Sequence, residues 1–300
     1  MPIVELQNVR KAYDTKVAVE NLSFKIQPGS MFGLLGPNGS GKTSSIRMMI
    51  GITVPDSGTV SLFGEPFNRK NLHRVGYLPE ERGLYKKMKV IDQLVFLAQL
   101  HGLDAATAGK RALVWCERME ITEAIHNKTE ELSKGMQQKI QFIAALLHEP
   151  ELIIMDEPFS GLDPVNAALL MDTLVDLRKQ GRSVLFSTHR MDQVEKLCDT
   201  ICLIHRGHLV LSGAMREIKS RYPANRVQMT FTGDASFLNH PSIESAKNYN
   251  GMAEIKLLDG DNGQALLAAA VARASITRFE VMEPTLEEIF IETVGDKVDA

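Results

Sequence analysis

The sequence holds little of what staples or membrane spans are made from. Only three of its 300 residues are cysteine: Cys116, Cys198 and Cys202. An odd count with no CxxC pair excludes a disulfide framework, and a structural zinc site usually needs four ligands. The pair in "CDTIC" therefore reads as small buried hydrophobes in a reducing compartment. No apolar run approaches the roughly 20 residues that span a bilayer; "ALLAAAVA", Ala265 to Ala272, is among the longest. The N-terminus, "MPIVELQNVRK", lacks a basic region followed by an apolar core, so it does not read as a signal peptide. Positive charge is not in excess either. With 34 Lys and Arg against 37 Asp and Glu, the formal net charge is -3 and the pI about 6.3, which disfavours a nucleic-acid binder. Repeats and low-complexity tracts are absent from the sequence.

What remains is an ordinary globular composition, 44% hydrophobic and 24% charged, in a chain long enough for one large core and a small second domain. "IVELQNVRKAY" and "AVENLSFKI" read as strands, with Pro28-Gly29 as a turn. "MFGLLG" is a short buried strand running into a glycine loop, and a helix follows from about Lys42 to Ile50. From Val90 to Glu120 the periodicity turns helical: Val90, Leu94, Leu97 and Ala98 share one face. Asp104 and Thr107 favour a new helix start. This block, about 88–148, reads as a helical insert in an α/β core. The core then resumes with a helix through "QQKIQFIAALLH", the strand "LIIMDEP", the helix "PVNAALLMDTLVDLRKQG", the strand "SVLFSTH" and the hairpin "TICLIHRGHLVLSG". Strands alternating with helices predict a mainly parallel sheet covered on both faces. Beyond a polar linker at "RYPANR" the order β, β, α, β, α predicts a separate α+β domain over 222–300, leaving 1–221 as the main domain.

Two stretches carry chemistry. "GPNGSGKT", Gly36 to Thr43, matches G-x-x-x-x-G-K-[ST] between a strand and a helix. Its glycines let backbone amides turn inward around phosphates, Lys42 supplies a point charge and Thr43 a hydroxyl for Mg²⁺. In "LIIMDEP" an apolar strand ends in two carboxylates, which are costly there unless a metal or substrate meets them. Asp156 is placed to hold Mg²⁺ and Glu157 to orient the attacking water. A third stretch, "LSKGMQQK", is a further glycine-containing turn opening a helix, with Ser133 as a fitting N-cap.

The ordered set "GPNGSGKT", "LSKGMQQK", "LIIMDEP", "SGLD" and "STH" resembles the ATP-binding cassette (ABC) ATPases over roughly Ile3 to Ser220. The resemblance implies an α/β P-loop NTPase core with a helical subdomain and an N-terminal antiparallel β subdomain, followed here by the small C-terminal α+β domain. It implies ATP and Mg²⁺ as ligands, with ATP held by Gly36, Pro37, Asn38, Gly39, Ser40, Gly41, Lys42, Thr43 and Ser44 and by an aromatic stacked on adenine. Tyr13 is the candidate for that aromatic and Phe24 the alternative. His189 corresponds to the switch histidine, so Glu157, His189 and Lys42 form the expected catalytic set, and Asp163 falls in the dimer-contact loop. Ser133 and Gly135 match the signature motif, usually written LSGGQ, while Lys134 and Met136 depart from it. The signature binds ATP held by a second subunit, so the resemblance implies a head-to-tail homodimer, or a pair with a related cassette, sandwiching two nucleotides. Glu80 stands where the family usually has the Mg²⁺-sensing glutamine, giving Thr43, Glu80 and Asp156 as the expected metal set. The following "RGLYKKMKV" lies where the family docks its membrane subunit.

A lone cassette without a membrane span implies a separate permease, no nucleic-acid partner, and a peripheral place on the cytoplasmic face of the cell membrane. The C-terminal domain and "EPTLEEIFIE" resemble exporter cassettes that pair with ABC-2-type permeases, such as sodium-extrusion and drug-resistance subunits. The alternative is a soluble ABC ATPase acting on ribosomes or DNA. Paired cassettes or long coiled-coil inserts, usual in such proteins, are absent from this sequence.

Overall fold

The computed structural model describes residues 1–295 except 82, 223, 224 and 259. The chain divides into two compact units, Met1–Ala214 and Met215–Ala300. The division falls a few residues before the boundary expected at 221, and Pro223 and Ala224 of the expected linker lie outside the described residues.

In the first unit, β1 (Val4–Tyr13) and β2 (Lys16–Ile26) form a hairpin and β3 (Met31–Leu35) follows; α1 (Lys42–Met49), β4 (Ser57–Leu62), β5 (Glu65–Pro66) and β6 (Val75–Leu78) come next. The helical subdomain is α2 (Val90–Leu100), α3 (Ala105–Arg118) and α4 (Lys134–Leu146). Then come β7 (Leu152–Asp156), α5 (Pro164–Lys179), β8 (Ser183–Thr188), α6 (Met191–Leu197), β9 (Thr200–His205) and β10 (His208–Ala214). One antiparallel sheet has the order β2-β1-β4-β5; the central sheet has the order β10-β9-β3-β8-β7-β6. The strands β9, β3, β8, β7 and β6 run parallel, and β10 closes the edge antiparallel. The strands β3, β7 and β8 are buried at every position, as expected of parallel strands covered on both faces.

The register decides where chemistry gathers. Leu35 pairs with Thr188 and Asp156 with Ser187, so β3, β8 and β7 end along one edge. The phosphate loop, both carboxylates and His189 leave the sheet at that carboxyl edge, where open α/β sheets bind ligands. In the helical subdomain, Asp104 caps α3 by accepting from the Thr107 amide. The packing seam includes Leu94, Ala98, Ala112, Cys116 and Phe142, all fully buried, with Trp115 edge-on to Phe142.

In the second unit, α7 (Met215–Lys219) precedes β11 (Arg226–Gly233), β12 (Ile243–Tyr249), β13 (Met252–Leu257), α8 (Gln264–Val271), β14 (Ala274–Met282) and α9 (Leu286–Gly295). The sheet order is β12-β13-β11-β14, all antiparallel. One face packs Val227, Met229, Phe231, Ile255 and Leu257 against Leu266, Ala270 and Phe237. The α+β character agrees with the expectation, but the order β, β, α, β, α omits β12. That strand, "IESAKNY", lies at the sheet edge; Ile243 packs against the core, but the residues after it are exposed, so no apolar alternation marks it.

Candidate nucleotide site and relatives

A cleft of about 480 Å³ opens at the carboxyl edge of the central sheet. It is lined by residues from four places: Tyr13, Lys16 and Ala18 of the first hairpin, Asn38, Gly39 and Gly41 to Ser44 of the glycine loop and helix start, Glu80, and the pair Asp156 and Glu157. Gly36, Pro37 and Ser40 are not among its lining residues but shape the loop behind it. Lys42 Nζ donates to the carbonyl oxygens of Gly36 at 2.7 Å and Pro37 at 3.2 Å, folding the loop over its own helix start.

Two glycines are required by this packing. At Gly36, with φ of +151°, an added Cβ would lie 2.1 Å from the Ile204 carbonyl oxygen. At Gly41, with φ of +112°, it would lie 2.4 Å from the Ala18 carbonyl oxygen. The second contact has a visible cause. Between Lys11↔Val19 and Ala12↔Val17 the hairpin register skips Ala18, and the irregularity brings the Ala18 carbonyl close to the phosphate loop.

Charge is concentrated on the far wall. Lys42 Nζ lies 3.8 Å from Glu157 Oε1. Burial lowers the Lys42 pKa from its ordinary value, and Glu157 opposes that shift by favouring the charged ammonium. Glu157 Oε1 also lies 3.0 Å from His189 Nδ1. Glu157 has φ of +50°, a left-handed conformation costly for a non-glycine residue and typical of functional turns. Its amide is held by the Ser187 carbonyl at 3.1 Å. Ser187 Oγ donates to Asp156 Oδ1, whereas Asp156 Oδ2 is buried without a hydrogen-bond partner. Ser187 was not singled out from the sequence. The sequence signal is a hydroxyl inside an apolar strand; its pairing with Asp156 comes only from the register.

Tyr13 is 41% exposed and reaches the cleft. Phe24 is 6% exposed and stacks on Phe32 in the core, so the structure removes it as the alternative aromatic. Ser133, Gly135 and Asp163 do not line the cleft. Ser133 is exposed and caps α4, accepting from the Met136 amide at 3.2 Å. Asp163 caps α5, accepting from the Asn166 amide at 2.9 Å. A Cβ on Gly135 would meet Leu162 and the Gly161 carbonyl at ordinary contact distance, so the "LSKGMQQK" turn and the "SGLD" loop are neighbours.

A second groove of about 390 Å³ lies between the central sheet and the helical subdomain, lined by apolar side chains including Ile52, Leu72, Leu84, Leu97 and Ala144. Tyr85 and Phe96 meet edge to face nearby, both exposed. Arg82 of "RGLYKKMKV" lies outside the described residues.

The ABC transporter family matches residues 19–160. An uncharacterized ABC transporter ATP-binding protein, YhaQ of Bacillus subtilis, is 44% identical over 98% of this chain and 99% of its own. The chain belongs to the ABC transporter ATP-binding proteins. As a member it is an ATPase, and the α/β cassette with its antiparallel β subdomain is the family fold. Residues 213–294 match the C-terminal domain of DrrA1-3-like ATP-binding proteins. The Nod factor export ATP-binding protein I of Burkholderia pseudomallei is 34% identical over 97% of each chain. A solved ATP-binding subunit of an ABC transporter superposes with a TM-score of 0.68 at 28% identity, over 73% of this chain and 92% of that one. Among the described residues no helix is long and apolar enough to cross a membrane.

Proposed function

We propose that this chain is the motor of an ABC-2-type exporter, working as a head-to-tail dimer that closes on two ATP molecules and moves a separate permease. One observation carries the reading. The cleft gathers Tyr13, Lys42, Asp156 and Glu157 on one face, while Ser133 stays exposed and outside it. A signature turn with no role in its own cleft fits a role in a partner's. The direction of transport rests on the DrrA-like C-terminal domain and on the relative named for export.

The residues divide the work as follows. Tyr13 offers a ring to the base. Amides of the glycine loop and the start of α1 face the phosphates, where the helix dipole favours anions. Lys42, held by loop carbonyls, exchanges them for phosphate oxygens. Glu157 orients the attacking water and polarises it, and His189, hydrogen-bonded to it, reports the γ-phosphate. Ser133 O–H and the Gly135 amide bind the γ-phosphate of the opposite subunit, so its loss releases the dimer.

Mg²⁺ fits this cleft. Asp156 has a buried oxygen without a partner, Thr43 and Glu80 line the same space, and no group of three or more His, Cys, Asp or Glu converges into a cage among the described residues. That donor set suits an ion that keeps most of its ligands from water and phosphate. When bound, Mg²⁺ neutralises charge on the phosphate oxygens. Glu80 senses it in place of the usual glutamine.

The permease docks in the apolar groove beside Leu84 and Leu97, placing the chain on the cytoplasmic membrane face. Copurification tests this reading. The tagged chain should bring down a polytopic membrane protein in near-equal amount from detergent-solubilised membranes. Ala144→Arg, which puts a charge in the groove, should abolish the pairing and spare basal ATPase. Ribosomes, DNA or no partner would instead support the soluble alternative.

A further inference from the structure

The far end of the first strand has a problem of support. The last pairing between β1 and β4 is Arg10↔Ser57, so Lys11, Ala12 and Tyr13 run on with a strand partner on one side only. Even that side is irregular, because the hairpin register shifts between Lys11 and Ala12. An aromatic platform at the end of a half-paired strand would be poorly fixed.

Asp56 takes the place of the missing strand. Its amide donates to the Arg10 carbonyl at 2.8 Å, continuing the ladder by one bond. Its Oδ2 accepts from the Ala12 amide at 2.7 Å. Its Oδ1 accepts from Lys11 Nζ at 2.7 Å. Lys11 Nζ also donates to the Val54 carbonyl at 2.9 Å and lies over the Tyr13 ring, 5.7 Å from its centroid. That is within cation–π range. The lysine is well sheltered, its side chain 16% exposed, and two hydrogen bonds fix where its charge sits relative to the ring.

We propose that Asp56 and Lys11 are positioning residues for nucleotide binding: the Asp56 carboxylate locks the end of β1, and Lys11 presses its charge against the Tyr13 ring, leaving the rest of the platform to the base. The inference rests on the reading of Tyr13 as that platform. Two consequences follow. The ring is held before ATP arrives, so less conformational freedom is lost on binding. The cation also draws ring electron density toward itself, which favours stacking with an electron-rich purine. Lys11 and Asp56 do not line the cleft, so neither is expected to touch the phosphates.

The test separates base from phosphate recognition. Calorimetry on the full chain measures the Kd of ATP and of inorganic tripolyphosphate, which has phosphates but no base. Asp56→Ala and Lys11→Met should each weaken ATP about five-fold, the scale of one aromatic contact, and leave tripolyphosphate unchanged. Asp56→Asn, which keeps an acceptor for the Ala12 amide, should fall between wild type and Asp56→Ala. Unchanged ATP affinity in Asp56→Ala and Lys11→Met would overturn the assignment. So would a parallel loss for both ligands, which marks general damage to the loop. Tyr13→Ala is the separate control. If it binds ATP like wild type, the platform itself is wrong and the positioning role goes with it; if it loses ATP affinity while the other variants do not, only the positioning role is overturned.

Discussion

Gly41→Ala probes the contact between the first hairpin and the phosphate loop. The added methyl would sit 2.4 Å from the Ala18 carbonyl oxygen, about 1 Å inside ordinary van der Waals contact. Both sides of the clash are backbone, so no side chain swings away to relieve it. The φ of +112° adds about 1–3 kcal/mol of conformational strain for alanine. With the clash, a destabilisation of about 2–4 kcal/mol is expected for the nucleotide-free protein. Relief requires the loop to move by most of an ångström, and a displacement of that size costs on the order of 100-fold in rate. Gly39→Ala is the internal comparison. It shares the loop and has φ of +77°, but its Cβ would meet nothing within 4 Å. It should cost only the strain, about 1 kcal/mol. Denaturant unfolding followed by the single tryptophan, Trp115, measures both, with ATPase assays in parallel. Equal stability of the two variants without nucleotide, or a Gly41→Ala protein with wild-type stability and rate, would refute the reasoning.

Other perturbations follow from buried groups. His148 stacks on His101 with ring centroids 3.8 Å apart, and burial pushes its pKa down from 6.5 to about 4. The unfolded chain therefore binds more protons between those values, and stability falls as pH drops through that window, by about 1 kcal/mol per unit after allowance for partial exposure. His148→Gln should flatten that slope in denaturant titrations at pH 7, 6 and 5; identical slopes would count against it. Burial raises the Cys116 thiol to about 11 and lifts Cys198 and Cys202 as well. Native protein at pH 8 should resist alkylation that reaches all three thiols in denaturant, and fast labelling of a native thiol would contradict the burial. Glu80→Gln should change the Mg²⁺ dependence of ATP hydrolysis; a superimposable Mg²⁺ titration would remove Glu80 from the metal set.

The sequence made the phosphate loop and the acid pair legible because each is local. "GPNGSGKT" and "LIIMDEP" carry their chemistry within a few residues, and periodicity marks their flanking elements. What stayed hidden depends on contacts distant in the chain. Ser187 becomes a partner of Asp156 only through strand register. Asp56 reads as part of a turn, "PDSG", until β4 is laid beside β1 and its carboxylate meets Ala12. The strand β12 shows no apolar period because its residues beyond Ile243 are exposed at the sheet edge. The placement of Ser133 away from its own cleft is likewise a property of the fold, and only the family resemblance suggested it beforehand.

The most direct test of the account is the oligomeric state of Glu157→Gln with ATP and Mg²⁺, measured by analytical ultracentrifugation. The substitution keeps the size of the side chain and removes the carboxylate proposed to polarise water, so ATP should stay intact in the closed state. A monomer that becomes a dimer on adding ATP, reverts when ATP is removed, and fails to dimerise when Ser133→Arg is added is the predicted result. A monomer unchanged by saturating ATP would contradict the two-subunit site.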